Sequence, residues 1–403
     1  MLETTLTVLL LAGSPQTHAN ATMQPQQSPR PPAAAAADTV DREAAGPASP
    51  RGTVPQGRQR ARQQDPFRGG QRQLNQLNPE ISMTGDFVGW VKTPKQRKPA
   101  DLDPWVGNRF ILREAQLNVV APLDPFTRGK FFVDADGEGS FGLSEGYMEW
   151  LNLPGGVNLK IGKFLNQFAQ FNRWHDHALP QADRPPALVA FLGDEGLGGV
   201  GLSANMFLPS ITAHVNEITL EYISGYDGGI FGTSPEEGGV AVGRLKNYWD
   251  VSFNSYVELG LSGAWGYRDP AGGFMSGIGG VDLTYKWLPV GSGRYEGVEI
   301  RAEALRSRYE DALGSREALG GFISVENRLD ARWLVSGRFD WFEEPSDPDL
   351  VTTGGALAAT CWQSEFVFFR FQLSHIAPEI GDAETRLIFQ ATWAMGPHKH
   401  EKY

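Results

Sequence analysis

From Asn78 onward, apolar and polar residues alternate with a period of two. In 111–119, Ala115, Leu117 and Val119 fall on one side, and Glu114, Gln116 and Asn118 on the other. In 128–136, Phe131, Val133 and Ala135 oppose Arg128, Lys130, Asp134 and Asp136. The same division runs through 298–304 (Val298, Ile300, Ala302, Ala304 against Glu299, Arg301, Glu303) and 333–341 (Trp333, Val335, Phe339, Trp341 against Ser336, Arg338, Asp340). It returns in 369–375 and 386–393, where Arg370, Gln372, Ser374, Arg386 and Gln390 form the polar side. Successive side chains of a strand point to opposite faces, so these are predicted strands with one apolar and one polar face. The pattern predicts sixteen of them: 80–91, 110–121, 128–137, 143–152, 156–164, 197–208, 213–224, 240–250, 255–267, 274–287, 294–308, 317–327, 330–343, 354–362, 364–376 and 385–395.

A soluble β-sandwich also alternates, but its strands average about 5–6 residues and bury the apolar face on a second sheet. Here many segments run to about ten residues, the span of a tilted strand through a bilayer. Ionisable groups recur along the whole polar face. Aromatics gather near strand ends on the apolar face (Trp265 and Tyr267, Tyr285 and Trp287, Trp333 and Trp341), as in two interfacial girdles. Even-numbered connections are short, such as NLPGG and SFN. Most odd-numbered ones are longer: 92–109, 165–196, 225–239, 344–353 and 377–384. The expected fold is all-β: a transmembrane antiparallel β-barrel of about sixteen strands over 79–403, with both ends on the short-turn side.

The first 78 residues lack this pattern. Residues 4–12 (TTLTVLLLA) are a short apolar core and Ala19-Asn20-Ala21 a small-x-small site, the layout of a secretory signal over 1–21, although Glu3 stands where a basic residue is expected. Residues 22–78 carry poly-Ala, proline pairs and RQRARQQ, and read as a disordered periplasmic leader. The leader region 1–78 holds 8 Arg and 5 acids, which leaves net −14 on the remainder. Without interleaved aromatics the basic arm gives no expectation of nucleic-acid binding. The single cysteine, Cys361, excludes an intrachain disulfide and a Cys-rich metal site. No run of eighteen apolar residues exists, which excludes helical membrane spans beyond the signal and nothing else.

Particular stretches carry a family likeness. LNPEISMTGDF, REAQLNVVAPLDPFTRGKFFV, YMEWLNLPGGVNLKIGKF, FNRWHDHALPQADRPP, FLGDEGLGGVGLSANMFLP, GRLKNYWDVSFNSYVELGLSG and VDLTYKWLP together resemble Gram-negative outer-membrane porin-like proteins, in the neighbourhood of the phosphate-selective porin O and P family. The resemblance covers 79–403. It implies a sixteen-stranded porin, homotrimeric and lodged in outer-membrane lipid, passing small hydrophilic solutes or ions by diffusion, with no catalytic residue and no cofactor. It also implies that the third outer loop, 165–196, folds into the lumen and narrows it. Candidate constriction residues there are Lys163, Arg173, His175, Asp176, His177, Asp183 and Arg184, with Asp194 and Glu195 beside them.

Candidate lumen-lining residues are Glu114, Arg128, Lys130, Asp134, Lys160, Arg244, Lys246, Glu258, Arg301, Arg338, Asp340 and Arg370, joined on the acidic side by Asp136, Asp282, Glu299 and Glu303. A phosphate path would need a ladder of basic side chains, and this mixture does not read as one. His175 and His177 lie two apart, so on an extended segment both imidazoles could reach one ion. That is a weak metal candidate, since a structural zinc site takes four ligands. Other readings fare worse. An energised receptor needs about 22 strands and a plug domain. An enzyme barrel would rest on Ser374-His375 or on Ser203 with His214, with no nucleophile elbow in sight. A barrel that only anchors surface loops differs from a channel in conductance alone.

Overall fold

A computed structural model describes residues 79–93 and 109–396, apart from 136, 138, 212, 234, 236, 237 and 294. The expected signal, the leader and Asp136 lie outside the described residues. The described residues fall within the compact unit Gly69–Tyr403. Sixteen strands close into one antiparallel barrel. In chain order they are β1 Glu80–Thr93, β2 Arg109–Pro122, β3 Thr127–Ala135, β4 Phe141–Leu153, β5 Val157–Leu165, β6 Gly198–Leu208, β7 Val215–Ser224 and β8 Val240–Ser252. The second half comprises β9 Ser255–Tyr267, β10 Met275–Trp287, β11 Gly297–Asp311, β12 Gly314–Arg328, β13 Trp333–Glu344, β14 Asp347–Trp362, β15 Val367–Pro378 and β16 Glu384–Met395. Each strand pairs with its sequence neighbours. The ring closes where β1 meets β16, from Met83 opposite Met395 to Thr93 opposite Thr385. No described helix is long and apolar enough to cross a membrane.

The two-residue alternation decides which face is which. Phe131, Leu220, Leu261, Leu283, Ile323, Phe339, Leu357, Phe371 and Leu387 all point outward and are exposed. Their strand neighbours Lys130, Thr219, Asp282, Thr284, Arg338 and Arg370 point inward and are buried. An apolar exterior around a polar interior inverts a soluble fold and matches hydrocarbon outside. Trp265, Trp333 and Trp393 sit near strand ends on the outward face, where indole suits an interface.

The expected long loop at 344–353 is corrected, as are the strand ends expected at 308 and 317. The connections at 312–313 and 345–346 are tight turns, because β11, β12 and β14 continue to 15, 15 and 16 residues. These hairpins exceed the roughly 9–11 residues a tilted strand needs to span a bilayer, so they project on the long-loop side.

Register is also broken in two useful places. Asp86 faces Glu114 while Phe87 faces Leu112, so Arg113 is an extra residue in β2. Phe132 faces Glu145 while Val133 faces Leu143, so Ser144 is extra in β4. Such β-bulges re-aim side chains, and both lie beside the long loop.

Outward position makes one prediction for the barrel. Val281, midway along β10 and 46% exposed, replaced by Arg should destabilise folding into lipid by about 2–4 kcal/mol if it lies near the bilayer midplane. Urea unfolding in phospholipid vesicles measures it.

Candidate functional site

The connection between β5 and β6, residues 166–197, runs inside the barrel. It opens with Asn166, whose Nδ2 donates to Glu221 (2.6 Å). The Ala169 N–H then donates to Ser262 Oγ (2.9 Å), and the Ala169 carbonyl accepts from Arg244. These two bonds hold Ala169 at φ 48°, a left-handed conformation that a side chain disfavours. The N–H groups of Gln170 and Phe171 both donate to Glu303 Oε1 (2.9 Å each).

The chain next crosses to the other wall. His175 Nε2 meets Glu145 of β4 (3.0 Å), and His177 Nδ1 meets Glu114 of β2 (3.0 Å). Gln181 donates to Ser324 (3.1 Å) and the Ala182 N–H to Gln372 (2.7 Å). Asp183 receives Arg338 (3.2 Å) and Gln372 (2.7 Å). Arg184 folds back to the carbonyls of Phe171 and Trp174 and to Asp176 (3.1 Å). The short helix α1, Pro186–Leu192, starts on proline and stops at Gly193, whose φ of 91° ends it.

Apolar contacts fix the same loop on the β8–β13 side. Phe168, Phe171, Leu188, Phe191 and Leu192 are fully buried against Val242, Ala264, Ile278, Leu305, Phe322 and Phe342 of the wall. Two wall glycines make room for rings: a Cβ on Gly280 would sit 3.1 Å from Phe168, and one on Gly320 would sit 2.7 Å from Phe191. Burying one such phenylalanine is worth about 1.5–3 kcal/mol. The loop is therefore anchored on both sides of the lumen.

Of the expected constriction residues, Arg173, His175, Asp176, His177, Asp183 and Arg184 lie in this inward segment. Lys163 does not. It pairs with Gly146 in the outward phase of β5, and its Nζ donates to the Leu143 carbonyl (2.6 Å), at the edge of the cavity on the long-loop side. Glu195 lines the cavity on the long-loop side. Arg128 bonds Glu149 (2.6 Å), and Lys246 bonds Glu217 (2.9 Å). Lys130 and Lys160 lie over the Tyr147 ring at 5.7 and 4.5 Å. Arg244 bonds Asp282 (2.7 Å), with Glu258 at 3.7 Å, and Arg301 is held between Glu299 and Glu326. Arg338 bonds Asp340 (2.8 Å), Asp134 lines the same cavity as Glu195, and Arg370 bonds Thr360 and Gln390.

Alternation alone missed Asp86, Arg113 and Glu145. The bulge turns Arg113 inward, where it bonds Asp86 (2.6 Å) and approaches Asp176 (4.0 Å). The cue in the sequence is the Ile111-Leu112 pair, which breaks strict alternation just before it.

The paired histidines do not share an ion in this arrangement. Their rings stack at 5.9 Å with an 11° tilt, each nitrogen facing a different carboxylate, and 176–178 is a 3-10 turn and not the extended segment expected. Among the described residues no group of three or more His, Cys, Asp and Glu could hold a metal. Ser374 is buried in the lumen, whereas His375, next along β15, points outward and bonds Thr385 (2.8 Å), so the two cannot exchange a proton. Ser203 is buried in β6, while His214 lies near Asp250 (3.7 Å) with its side chain 57% exposed.

A cavity of about 600 Å³ on the long-loop side is lined by Arg113, Glu114, Asp134, His175, Asp176 and Arg184. A second, of about 240 Å³ on the short-turn side, is lined by Trp174, His177, Leu179, Glu326, Trp362 and Arg370. The segment His175–His177 separates them.

No family model matches the chain. An uncharacterized protein of Aquifex aeolicus (strain VF5) is 29% identical over 336 residues, covering 72% of this chain and 69% of its own. Solved structures are similar to it in fold. The anion-selective porin from Comamonas acidovorans has a TM-score of 0.54 at 10% identity, over 79% of this chain and 100% of its own. Pseudomonas putida OprB has 0.54 at 10%, over 80% and 95%. Salmonella typhi OmpF has 0.53 at 7%, over 80% and 99%. The fold is that of an outer-membrane porin.

Two outcomes follow from the anchors. Burial pushes the His175 pKa down, but the Glu145 hydrogen bond and the charges of Glu145, Glu114 and Asp134 outweigh it and raise the value to about 9. A raised pKa means this anchor is fully present below about 6.5, the unfolded value, and fades as pH climbs through about 9. Tryptic cleavage after Arg173 in micelles should therefore quicken between pH 8 and 10, and His175→Asn should abolish that step. Gly320→Leu should displace Phe191 and expose the same bond at neutral pH, raising the cleavage rate about tenfold or more, since ~1.4 kcal/mol of lost anchoring corresponds to a factor of ten if cleavage follows opening.

Proposed function

We propose that the protein is an outer-membrane diffusion channel for small hydrophilic solutes or ions, with passage limited in size and charge by the inward third loop. The observation that carries this reading is the pair of cavities that meet the segment His175–His177 from opposite sides. A polar wall, an apolar exterior and likeness in fold to porins support it. In this reading the short turns face the periplasm, the usual asymmetry of such barrels, and the 240 Å³ cavity opens on that side. The loop is a filter, because solute must pass fixed charges in a partly desolvated space, where Coulomb forces act more strongly than in water. A homotrimer in outer-membrane lipid, reached after export, belongs to the same reading.

A phosphate-selective path fits less well. It calls for basic groups open to the solute, whereas Arg113, Arg244, Arg301 and Arg338 are each bonded to carboxylates. Electroneutral pairs of this kind sort solutes by size and dipole more than by net charge.

Purified protein in planar bilayers should give stepwise conductance, and its absence in active insertions would sink the channel reading. Reversal potentials in a salt gradient test the filter: Asp183→Asn should move selectivity toward anions and Arg173→Gln toward cations. Asp183 is itself held below the ordinary carboxylate range, since Arg338 and the Gln372 hydrogen bond overcome the opposing effect of burial. Its replacement leaves Arg338 with one carboxylate in place of two, and should cost about 1.5–3 kcal/mol in loop anchoring, the scale of a hydrogen bond to a charged group.

A further inference from the structure

Arg370 differs from most of the arginines inside the barrel. Arg113, Arg184, Arg244, Arg301, Arg338 and Arg386 each have a carboxylate within salt-bridge distance. Among the described residues Arg370 has none. Its Nε donates to Thr360 Oγ1 (3.0 Å) and its Nη1 to Gln390 Oε1 (2.7 Å), both neutral. Only 5% of the residue is exposed. A guanidinium buried this deeply without a counter-ion is costly, and its Nη2 has no acceptor among the described residues. Arg370 lines the 240 Å³ cavity below the loop.

The rest of that cavity is largely apolar and aromatic. Trp362 and Phe368 make a corner, with ring centroids 4.8 Å apart and planes at 50°. Trp174, Leu179, Pro180 and Leu334 complete the walls. Glu326, the carboxylate on the wall, is already bonded to Arg301. Arg328 lines the cavity without a side-chain partner among the described residues and also borders a larger vestibule of about 760 Å³ toward the short turns. Glu326, Leu334 and Trp362 line both spaces, so the two adjoin.

The geometry points to a binding site for a small aromatic carboxylate, its anion on Arg370 and its ring in the Trp362–Phe368 corner. This rests on the channel reading, in which such an ion is a solute held briefly on its way through. Planar guanidinium matches carboxylate in charge and shape. About eight water volumes fit in the space, at ~30 Å³ each, enough for an ion of benzoate size. Inorganic phosphate, strongly hydrated and without a ring to fill the aromatic corner, would lose its water to walls that are mostly apolar.

Benzoate is the probe, with benzyl alcohol and inorganic phosphate as comparisons. Calorimetric titration of the full protein in micelles should show binding of benzoate, with benzyl alcohol and phosphate at least about tenfold weaker, the scale of a charge-assisted hydrogen bond. Arg370→Gln and Trp362→Leu should each weaken benzoate about tenfold or more. In bilayers, benzoate added on the short-turn side should interrupt the current of the wild type and spare that of Arg370→Gln. Benzoate binding without any conductance would overturn the channel reading and leave the site standing. Conductance with no benzoate binding, or equal binding of benzyl alcohol, would overturn the site and leave the channel. If Arg370→Gln does not fold, Trp362→Leu decides: unchanged benzoate affinity there rejects the proposal.

Discussion

In hydrocarbon a backbone amide or carbonyl without a partner costs several kcal/mol, so a sheet that crosses lipid can have no open edge. The pairing of β1 with β16 meets that demand. Once the ring is closed, strand number sets the interior width, and the two-residue period sends every second side chain into it. The interior is then too wide for the wall side chains to fill by themselves. The long connection between β5 and β6 supplies the missing volume, which is why it bonds to the wall from Glu221 and Glu303 on one side to Glu114 and Glu145 on the other.

The loop is held differently on its two sides. Toward β8–β13 it buries phenylalanines against apolar wall residues, with Gly280 and Gly320 as sockets. Toward β2, β4, β13 and β15 it relies on His177–Glu114, His175–Glu145, Asp183–Arg338 and Asp183–Gln372. Apolar contact carries no titrating group, whereas buried ion pairs are sensitive to loss of either partner. The first kind of contact sets where the loop lies. The second gives the narrow part its charge and ties that charge to conditions outside.

Most of the barrel was legible in the sequence because period-two patterning survives at every strand with one face in lipid. Trp333-to-Trp341 and Phe369-to-Leu373 are examples where facing followed directly from alternation. Loop 165–196 was also legible as the place where chemistry concentrates. Four things were not. The apolar lumen positions Val242, Ile278, Leu305 and Phe322 look like ordinary members of either face, since only the docked loop makes an inward apolar residue favourable. Arg113 was hidden by a bulge, which shifts phase without a distinctive residue type. Lys163 seemed to belong to the loop because it precedes it, yet one position in a strand decides the face, and Lys163 falls on the outer one. Strand ends near 311–314 and 344–347 were misjudged because a hairpin that projects beyond the membrane needs no lipid-facing pattern.

The loop's partners are spread unevenly along the chain. Glu145 and Glu114 precede it by 30 and 63 residues, whereas Arg338 and Gln372 follow Asp183 by 155 and 189. Contacts of such long separation form only after much of the chain has been ordered. During assembly the histidine side of the loop can therefore dock on strands already made, while the Asp183 side must wait for β13 and β15. The nascent barrel is consequently wide-bored, and its narrowing is among the last events of folding.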